Sequence, residues 1–328
     1  MAERTMIDAL NLALKQEMQN DDSVLVLGED IGVSGGVFRV TEGLQEEFGS
    51  QRVLDTPLAE SGIVSTSVGM AIAGLKPVCE IQFSGFSYFA MHQIESHAAR
   101  MRWRSRGRYH VPMVVRMPYG AGVKALEHHS ESREAWYGSI PGLKMVIPSG
   151  PRVARALLVS AIRDPDPVIF FEPKASYRAF REEVPDEEES FPIGKSRIVR
   201  EGEDLTLISY GAMLPRAIQA AETLQEEDDV ECEVIDLLTL SPLDDETFTQ
   251  SVRKTGRVVI VHEAQRSFGP AGEIAFRILE RSFWWLEAPI SRVTGFDVHV
   301  PYFAREQAYL PDRQRIVQAA RNTLHEKS

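Results

Sequence analysis

Val24-Leu25-Val26-Leu27-Gly28 is an unbroken apolar run closed by glycine. With no polar position to face water, it reads as a strand covered on both sides, as in a parallel sheet flanked by helices. The pattern recurs outward from it. Val78–Phe83, Met113–Met117, Met145–Ile147 and Val168–Phe171 are compact apolar runs, and helix-length segments lie between several of them: Ser61–Leu75, Phe86–Trp103 and Pro151–Ile162. Upstream, Thr5 is placed to cap a helix whose apolar residues Met6, Leu10, Ala13, Leu14 and Met18 recur at helical spacing. Arg181–Pro192 (REEVPDEEESFP) interrupts the alternation with clustered acids and two prolines. Beyond it come Leu205–Ser209, Val230–Leu237, Val258–Val261 and Ile290–Thr294, with a helix from Pro270 to about Arg281 between the last two. This order predicts an α/β chain of two consecutive domains, each a mostly parallel sheet with helices on both faces: residues 1–180, an acidic linker over 181–194, and residues 195–328.

Composition narrows the function. The 328 residues carry 36 Lys+Arg against 48 Asp+Glu, a net charge of −12, which disfavours a chain built to grip nucleic acid or anionic lipid. A hydrophobic share of 43% excludes global disorder. The two cysteines, Cys79 and Cys232, are too few for a disulfide scaffold or a cysteine-only zinc cluster. The uncharged stretch from Ser61 is shorter than the ~20 residues a membrane span needs. Met1–Asp8 has no basic leader followed by an apolar run, so a cytoplasmic chain without signal peptide or membrane segment is expected.

Several signatures are missing: a Walker-type loop, a GxGxxG after the first strand, a second histidine at zinc-protease spacing from His262-Glu263, and a Gly-Asp-Gly run. Gly32-Val33-Ser34-Gly35-Gly36 fits the GxSxG nucleophile elbow, which would make Ser34 a hydrolase nucleophile. That elbow needs a strand directly before the serine and a helix directly after it. Glu29-Asp30 intervenes and Gly35-Gly36 starts a helix poorly, so a flexible loop outweighs the hydrolase.

Four constellations could carry chemistry. Asp55-Thr56-Pro57-Leu58-Ala59-Glu60-Ser61-Gly62 sets Glu60 at a helix entrance, where a carboxylate either complements the helix dipole or faces a cofactor. Glu80-Ile81-Gln82-Phe83-Ser84-Gly85-Phe86 ends a strand, and ligands of parallel sheets bind at that edge. Gln82 offers an amide and Phe86 a flat ring, although an ordinary core aromatic is the plainer reading. Glu127-His128-His129-Ser130-Glu131-Ser132 is a polar loop, or holds one histidine that moves a proton near neutrality. The run Arg100, Arg102, Arg104, Arg106 and Arg108 favours a solvated helix end or a partner interface over nucleic acid, given the net charge.

Together these segments resemble the β subunit of the thiamine-diphosphate-dependent decarboxylating component of 2-oxo acid dehydrogenase complexes, a transketolase-like family that includes pyruvate and branched-chain 2-oxo acid dehydrogenases. The resemblance spans nearly the whole chain. It runs through LGEDIG from Leu27, GGVFRVTEGL from Gly35, DTPLAESGI from Asp55, EIQF from Glu80, HHSES from His128, PGLKMVIPS from Pro141, SAIRDPDPVIFFEP from Ser160, PIGK from Pro192, SYGAM, EVIDLLTLSPLD, KTGRVVIVHEA, EAPISRVTGFD and YLPD.

The resemblance implies a pyrimidine-binding domain, a transketolase C-terminal domain and half of an active site. An α subunit carrying Gly-Asp-Gly would hold Mg²⁺ and the diphosphate in a heterotetramer of two α and two β chains. A lipoyl acyltransferase core would accept the acyl group. Glu60 matches the glutamate that hydrogen-bonds the pyrimidine ring and favours its imino tautomer, a base beside the thiazolium carbon. Leu58, Gln82 and Phe86 match pyrimidine contacts, with Phe86 standing where some relatives have tyrosine. His129 matches the family's active-site histidine, which donates a proton when the acyl group passes to lipoyl or helps hold that group, with His128 in support. A potassium site in some members implies Asp164 and the carbonyls of Ala161 and Asp166, with Val111 and Met113 nearby. Acetoin cleavage uses the same chemistry and is the alternative within the family. The sequence leaves the choice between pyruvate and branched-chain 2-oxo acids open.

Overall fold

The helix expected after Thr5 forms over Met6–Asn20 and starts with a reciprocal cap. The Thr5 hydroxyl accepts the Asp8 N–H, and the Asp8 carboxylate accepts the Thr5 N–H. The computed structural model that contains it describes residues 1–325. Its contacts divide the chain into two units: Met1–Tyr119 with Trp136–Ile193, and Gly120–Ala135 with the chain from Gly194 onward.

In the first unit the strands lie in the order Lys144–Val146, Val168–Pro173, Val114–Tyr119, Lys76–Glu80, Val24–Gly28, Val53–Asp55. Every neighbouring pair is parallel. Val53, Val26, Val78, Val114 and Val168 sit opposite one another in register and are all buried, so the β-branched residues form one row across the sheet. Because the strands share a direction, their carboxyl ends share an edge, where Gly28 stands opposite both Asp55 and Glu80. Helix Met6–Asn20 packs on helix Pro151–Arg163, and helix Glu60–Ile72 packs on strand Lys76–Glu80. Within the acidic segment, Glu182–Val184 is a short strand paired antiparallel with Ala2–Arg4.

Charge is buried in the middle of this sheet. Arg116 has no exposed surface. Its Nε and Nη2 reach the Glu172 carboxylate at 2.6 and 3.0 Å, and its Nη1 reaches Glu80 at 2.9 Å. The Tyr177 hydroxyl also donates to Glu172. Burial alone would weaken the guanidinium's hold on its proton, but Glu172 and Glu80 outweigh it and keep the Arg116 pKa above its ordinary value. Burial, partly offset by Arg116, raises the Glu80 carboxyl.

The second unit has the strand order Ser291–Gly295, Val258–Gln265, Leu205–Ser209, Cys232–Asp236, Arg197–Arg200. All neighbours are parallel except the last pair. Alternation assigns its faces. Leu205, Leu207, Val259 and Val261 join the core formed with helices Leu214–Asp228 and Arg313–His325. Thr206, from the opposite face, hydrogen-bonds Ser251 and Thr255 of helix Asp245–Thr255, which packs on Pro270–Ser282.

One sequence reading fails, and one disfavoured alternative drops out. The helix expected over Phe86–Trp103 is broken into a 3₁₀ turn at Ser84–Phe89, a short α turn at Met91–Gln93, a π turn at Ile94–Ala98 and a last turn at Met101–Arg104. The Ala99 N–H reaches back to Ile94, and a Cβ on Gly142 would lie 2.3 Å from the Ala99 carbonyl, so the absent side chain at 142 lets the two segments approach closely where the helix changes type. The hydrolase elbow is also absent. The strand ends at Gly28, Ser34 is exposed in a turn, and the next helix starts at Leu44.

Replacing Arg116 by alanine leaves two buried carboxylates unpaired. Urea unfolding of Arg116→Ala is expected to show a loss of about 3–5 kcal/mol; a loss under about 1 kcal/mol would contradict the assigned pairing.

Candidate active site

The carboxyl edge of the first sheet gathers the expected cofactor residues. Asp55 ends its strand and accepts the N–H groups of Gly32 and Val33 at 2.6 and 3.3 Å. A Cβ on Gly32 would lie 2.5 Å from Asp55 Oδ2, so only glycine allows this approach. The chain then turns through exposed Leu58 and enters helix Glu60–Ile72 with Glu60 as its first residue, half-buried. Glu29, just past the next strand, is raised by burial and then by the charges of Asp30 and Glu60, which makes it an electrostatic neighbour of Glu60.

Gln82 and Phe86 leave the same edge two and six residues after Glu80, and both are half-buried. The turn Ser84–Phe89 packs on helix Glu60–Ile72. Phe86 belongs to an aromatic chain. Its ring meets Phe83 edge-on at 5.6 Å, Phe83 meets Phe38 at 5.6 Å, and Phe38 meets Tyr177 at 5.1 Å. The edge thus offers a carboxylate, an amide that donates and accepts, a ring face and an exposed leucine. That donor set fits a flat heterocycle with a ring nitrogen and an exocyclic amine.

The residues considered for potassium lie where helix Pro151–Arg163 ends. Asp164 holds the Lys144 ammonium at 2.6 and 2.7 Å, and Asp166 holds Arg102 at 2.6 Å. The carbonyls of Val111, Met113 and Ala161 each accept one backbone N–H. The two carboxylates are already matched by two cations, so their side chains do not fit an added ion; the main-chain carbonyls are the remaining oxygen donors. Among the described residues, no cluster of three or more His, Cys, Asp or Glu is arranged to hold a metal. In the Arg run, Arg100 pairs with Glu95, Arg102 with Asp166, and Arg104 donates to the Ser96 carbonyl. Arg108 lies over the Tyr109 ring at 5.6 Å, so at least four of the five charges are engaged within the chain, against a nucleic-acid face.

The histidine loop belongs to the second unit. Glu127–His129 is a single 3₁₀ turn, closed by the His129 N–H to Leu126 and the Ser130 N–H to Glu127. The rings of His128 and His129 lie 4.8 Å apart and tilted by 35°, with His128 exposed and His129 half-buried. His128 Nδ1 is 3.4 Å from the Glu127 carboxylate. Hydrogen bonds from its own backbone and from Tyr302 hold the Glu127 carboxyl below its ordinary range. Beside this turn is a cavity of about 500 Å³, lined by Glu127, Glu131, Arg133, Gln265, Asp297 and His299 among others. Sequence reasoning did not single out Asp297 or His299; they sit in and after the GFD of the late motif, with no spacing signal of their own. His262 is a core histidine: burial lowers its pKa to about 3, and its Nε2 accepts the Ala271 N–H.

Comparison with known proteins adds independent findings. Residues 2–179 match the family described as "Transketolase, pyrimidine binding domain", and residues 194–316 match "Transketolase, C-terminal domain". The chain is 51% identical to "Pyruvate dehydrogenase E1 component subunit beta" of Acholeplasma laidlawii over 96% of each chain. It is 49% identical to the protein of that name in Bacillus subtilis over 99% of each. Among solved structures it resembles "Split gene transketolase, inactive beta4 tetramer", with a TM-score of 0.80, 21% identity and full coverage of both chains, a likeness of fold. The two-domain, mostly parallel α/β architecture is thereby shown. Among the described residues no helix is long and apolar enough to cross a membrane.

One titration is predicted at the end of the histidine loop. Glu134 is fully buried. Burial, helped by the charge of Glu263, raises its carboxyl from 4.5 to about 8. The folded chain keeps this proton while the unfolded chain loses it, so the stability it lends is complete below pH 4.5 and declines as pH rises to about 8. Glu134→Gln, neutral throughout, is expected to flatten the urea midpoint across that window; an unchanged slope would contradict the assignment.

Proposed function

We propose that this chain, which belongs to the family of pyruvate dehydrogenase E1 component β subunits, supplies the pyrimidine-side half of a thiamine-diphosphate-dependent 2-oxo acid dehydrogenase. The observation that carries the reading is the carboxyl edge where Glu60, Gln82, Phe86 and Leu58 emerge, in a unit matching a pyrimidine-binding domain. When bound, thiamine diphosphate supplies the nucleophilic carbon and the electron sink for decarboxylation. Glu60 accepts a hydrogen bond from the pyrimidine ring and fixes the tautomer of its amine. Gln82 orients the ring edge, and Phe86 and Leu58 cover its faces and exclude water.

His129 donates a proton as the acyl group passes to a lipoyl group, and His128 supports it from the same turn. An α subunit holds Mg²⁺ and the diphosphate, because this sequence has no Gly-Asp-Gly run. The assembly is two α and two β chains delivering to a lipoyl acyltransferase, in the cytoplasm. A potassium ion, where bound, rests on the carbonyls of Ala161, Asp166, Val111 and Met113, while the Asp164 side chain stays with Lys144. Pyruvate is the substrate favoured by the named relatives. A branched-chain 2-oxo acid or acetoin would require only a change in a pocket shared with the α chain.

Glu60→Gln is expected to slow exchange of the thiazolium proton at least about 100-fold while leaving assembly with the α chain intact. Exchange at the normal rate would remove Glu60 from this role. His129→Ala is expected to cut lipoyl acylation at least about tenfold more than dye-coupled decarboxylation; equal loss in both assays would contradict the division of labour.

A further inference from the structure

The loop carrying His128 and His129 is fastened at its start by two buried carboxylates that the reading above does not use. Glu306 has no exposed surface, and Glu263 is 2% exposed. Glu306 accepts the Gly122 N–H at 3.0 Å and the Lys124 N–H at 2.9 Å. Glu263 accepts the Ala121 N–H at 2.8 Å. The backbone is shaped to aim these donors. Gly120, Gly122 and Lys124 all have positive φ, at 81°, 103° and 58°. Such alternation turns successive N–H groups toward one concave side, where an anion fits. Gly120 has no alternative, since a Cβ there would lie 2.6 Å from the Glu263 carboxylate. The loop is then closed on itself by the Gly120 N–H to the Glu131 carbonyl at 3.1 Å. The Tyr210 hydroxyl holds its far end, donating to buried Glu134 at 3.3 Å. Between these fastenings lies the single 3₁₀ turn Glu127–His129, too short to fix its own position.

We propose that Glu306, with Glu263, is a positioning residue that sets where His129 presents its ring. The inference rests on the role given to His129 and deepens it. On this loop Glu306 hydrogen-bonds the backbone of residues 122 and 124, so its route to the reaction runs through the loop. Buried carboxylate oxygens suit this task, because Glu306 and Glu263 are shielded from solvent and two of the loop's N–H groups converge on Glu306. Loss of the carboxylate releases the loop start and lets the histidine turn drift, and catalysis is sensitive to displacements on the scale of an ångström. The step that needs His129 suffers, and decarboxylation does not.

The test compares Glu306→Ala, Glu306→Gln and His129→Ala in the assembled two-chain enzyme, by three readouts. These are dye-coupled decarboxylation, reductive acylation of a free lipoyl domain, and amide hydrogen exchange over residues 120–133. Glu306→Ala is expected to lower the lipoyl kcat about tenfold or more, to leave dye reduction within about twofold, and to speed exchange at residues 121–124. Glu306→Gln keeps one acceptor oxygen and is expected to recover much of both the rate and the protection. Equal loss in the two assays, or undiminished protection at 121–124 in Glu306→Ala, overturns the proposal. If His129→Ala itself shows no selective loss, the role of His129 fails, and the exchange data still report whether Glu306 holds the loop.

Discussion

The guanidinium of Arg116 is enclosed in the middle of the first sheet and shared by carboxylates from the strands on either side. Two charges of one sign and one of the other, taken out of water together, tolerate little displacement, because any gap leaves a buried ion without its partner. The loop that delivers Gln82 and Phe86 starts directly after Glu80. The Gly-rich turn is seated on the same carboxylate: a Cβ on Gly36 would lie 3.7 Å from Glu80 Oε1. Glu172 draws in Tyr177, whose ring continues the aromatic chain to Phe38, Phe83 and Phe86. The edge that offers a carboxylate, an amide and a ring face is thus held from beneath by one ion network.

Periodicity made much of this architecture legible. Runs such as Val24–Gly28 and Val168–Phe171 are strands because nothing in them could face water, and Thr5 caps its helix through a hydroxyl that no apolar residue could replace. What stayed hidden depends on partners far away in the chain. The broken segment after Phe86 passes close to Gly142, where a Cβ would meet the Ala99 carbonyl. The carboxylates that fasten the histidine loop stand 142 and 184 residues from the amides they accept. In the sequence, Glu263 and Glu306 are acids of no special spacing, and only the fold reveals them as buried carboxyl groups facing backbone donors. The motifs named Glu60 and His129; the structure adds that Glu60 opens a helix beside a strand end where Asp55 holds the Gly32 turn, and that the loop carrying His129 starts on Glu306 and Glu263.

The two units carry different parts of the chemistry proposed. The first presents groups suited to a flat heterocycle, and the second presents a histidine pair beside a polar cavity. Neither contains the Gly-Asp-Gly run that would bind a metal diphosphate, and the net charge of −12 makes the chain a poor host for an anionic group on its own. The relatives of about half identity carry the name of a β subunit, which agrees with the half-site proposed.

The most direct test of that claim is 2-oxo-acid-dependent dye reduction with thiamine diphosphate and Mg²⁺, measured on this chain alone and on this chain co-expressed with an α subunit. The panel holds pyruvate, 2-oxobutyrate, branched-chain 2-oxo acids and acetoin. The account predicts no turnover from the lone chain and turnover from the pair, fastest with pyruvate. Turnover from the lone chain would contradict it, because the missing half of the site would then have to lie within these 328 residues.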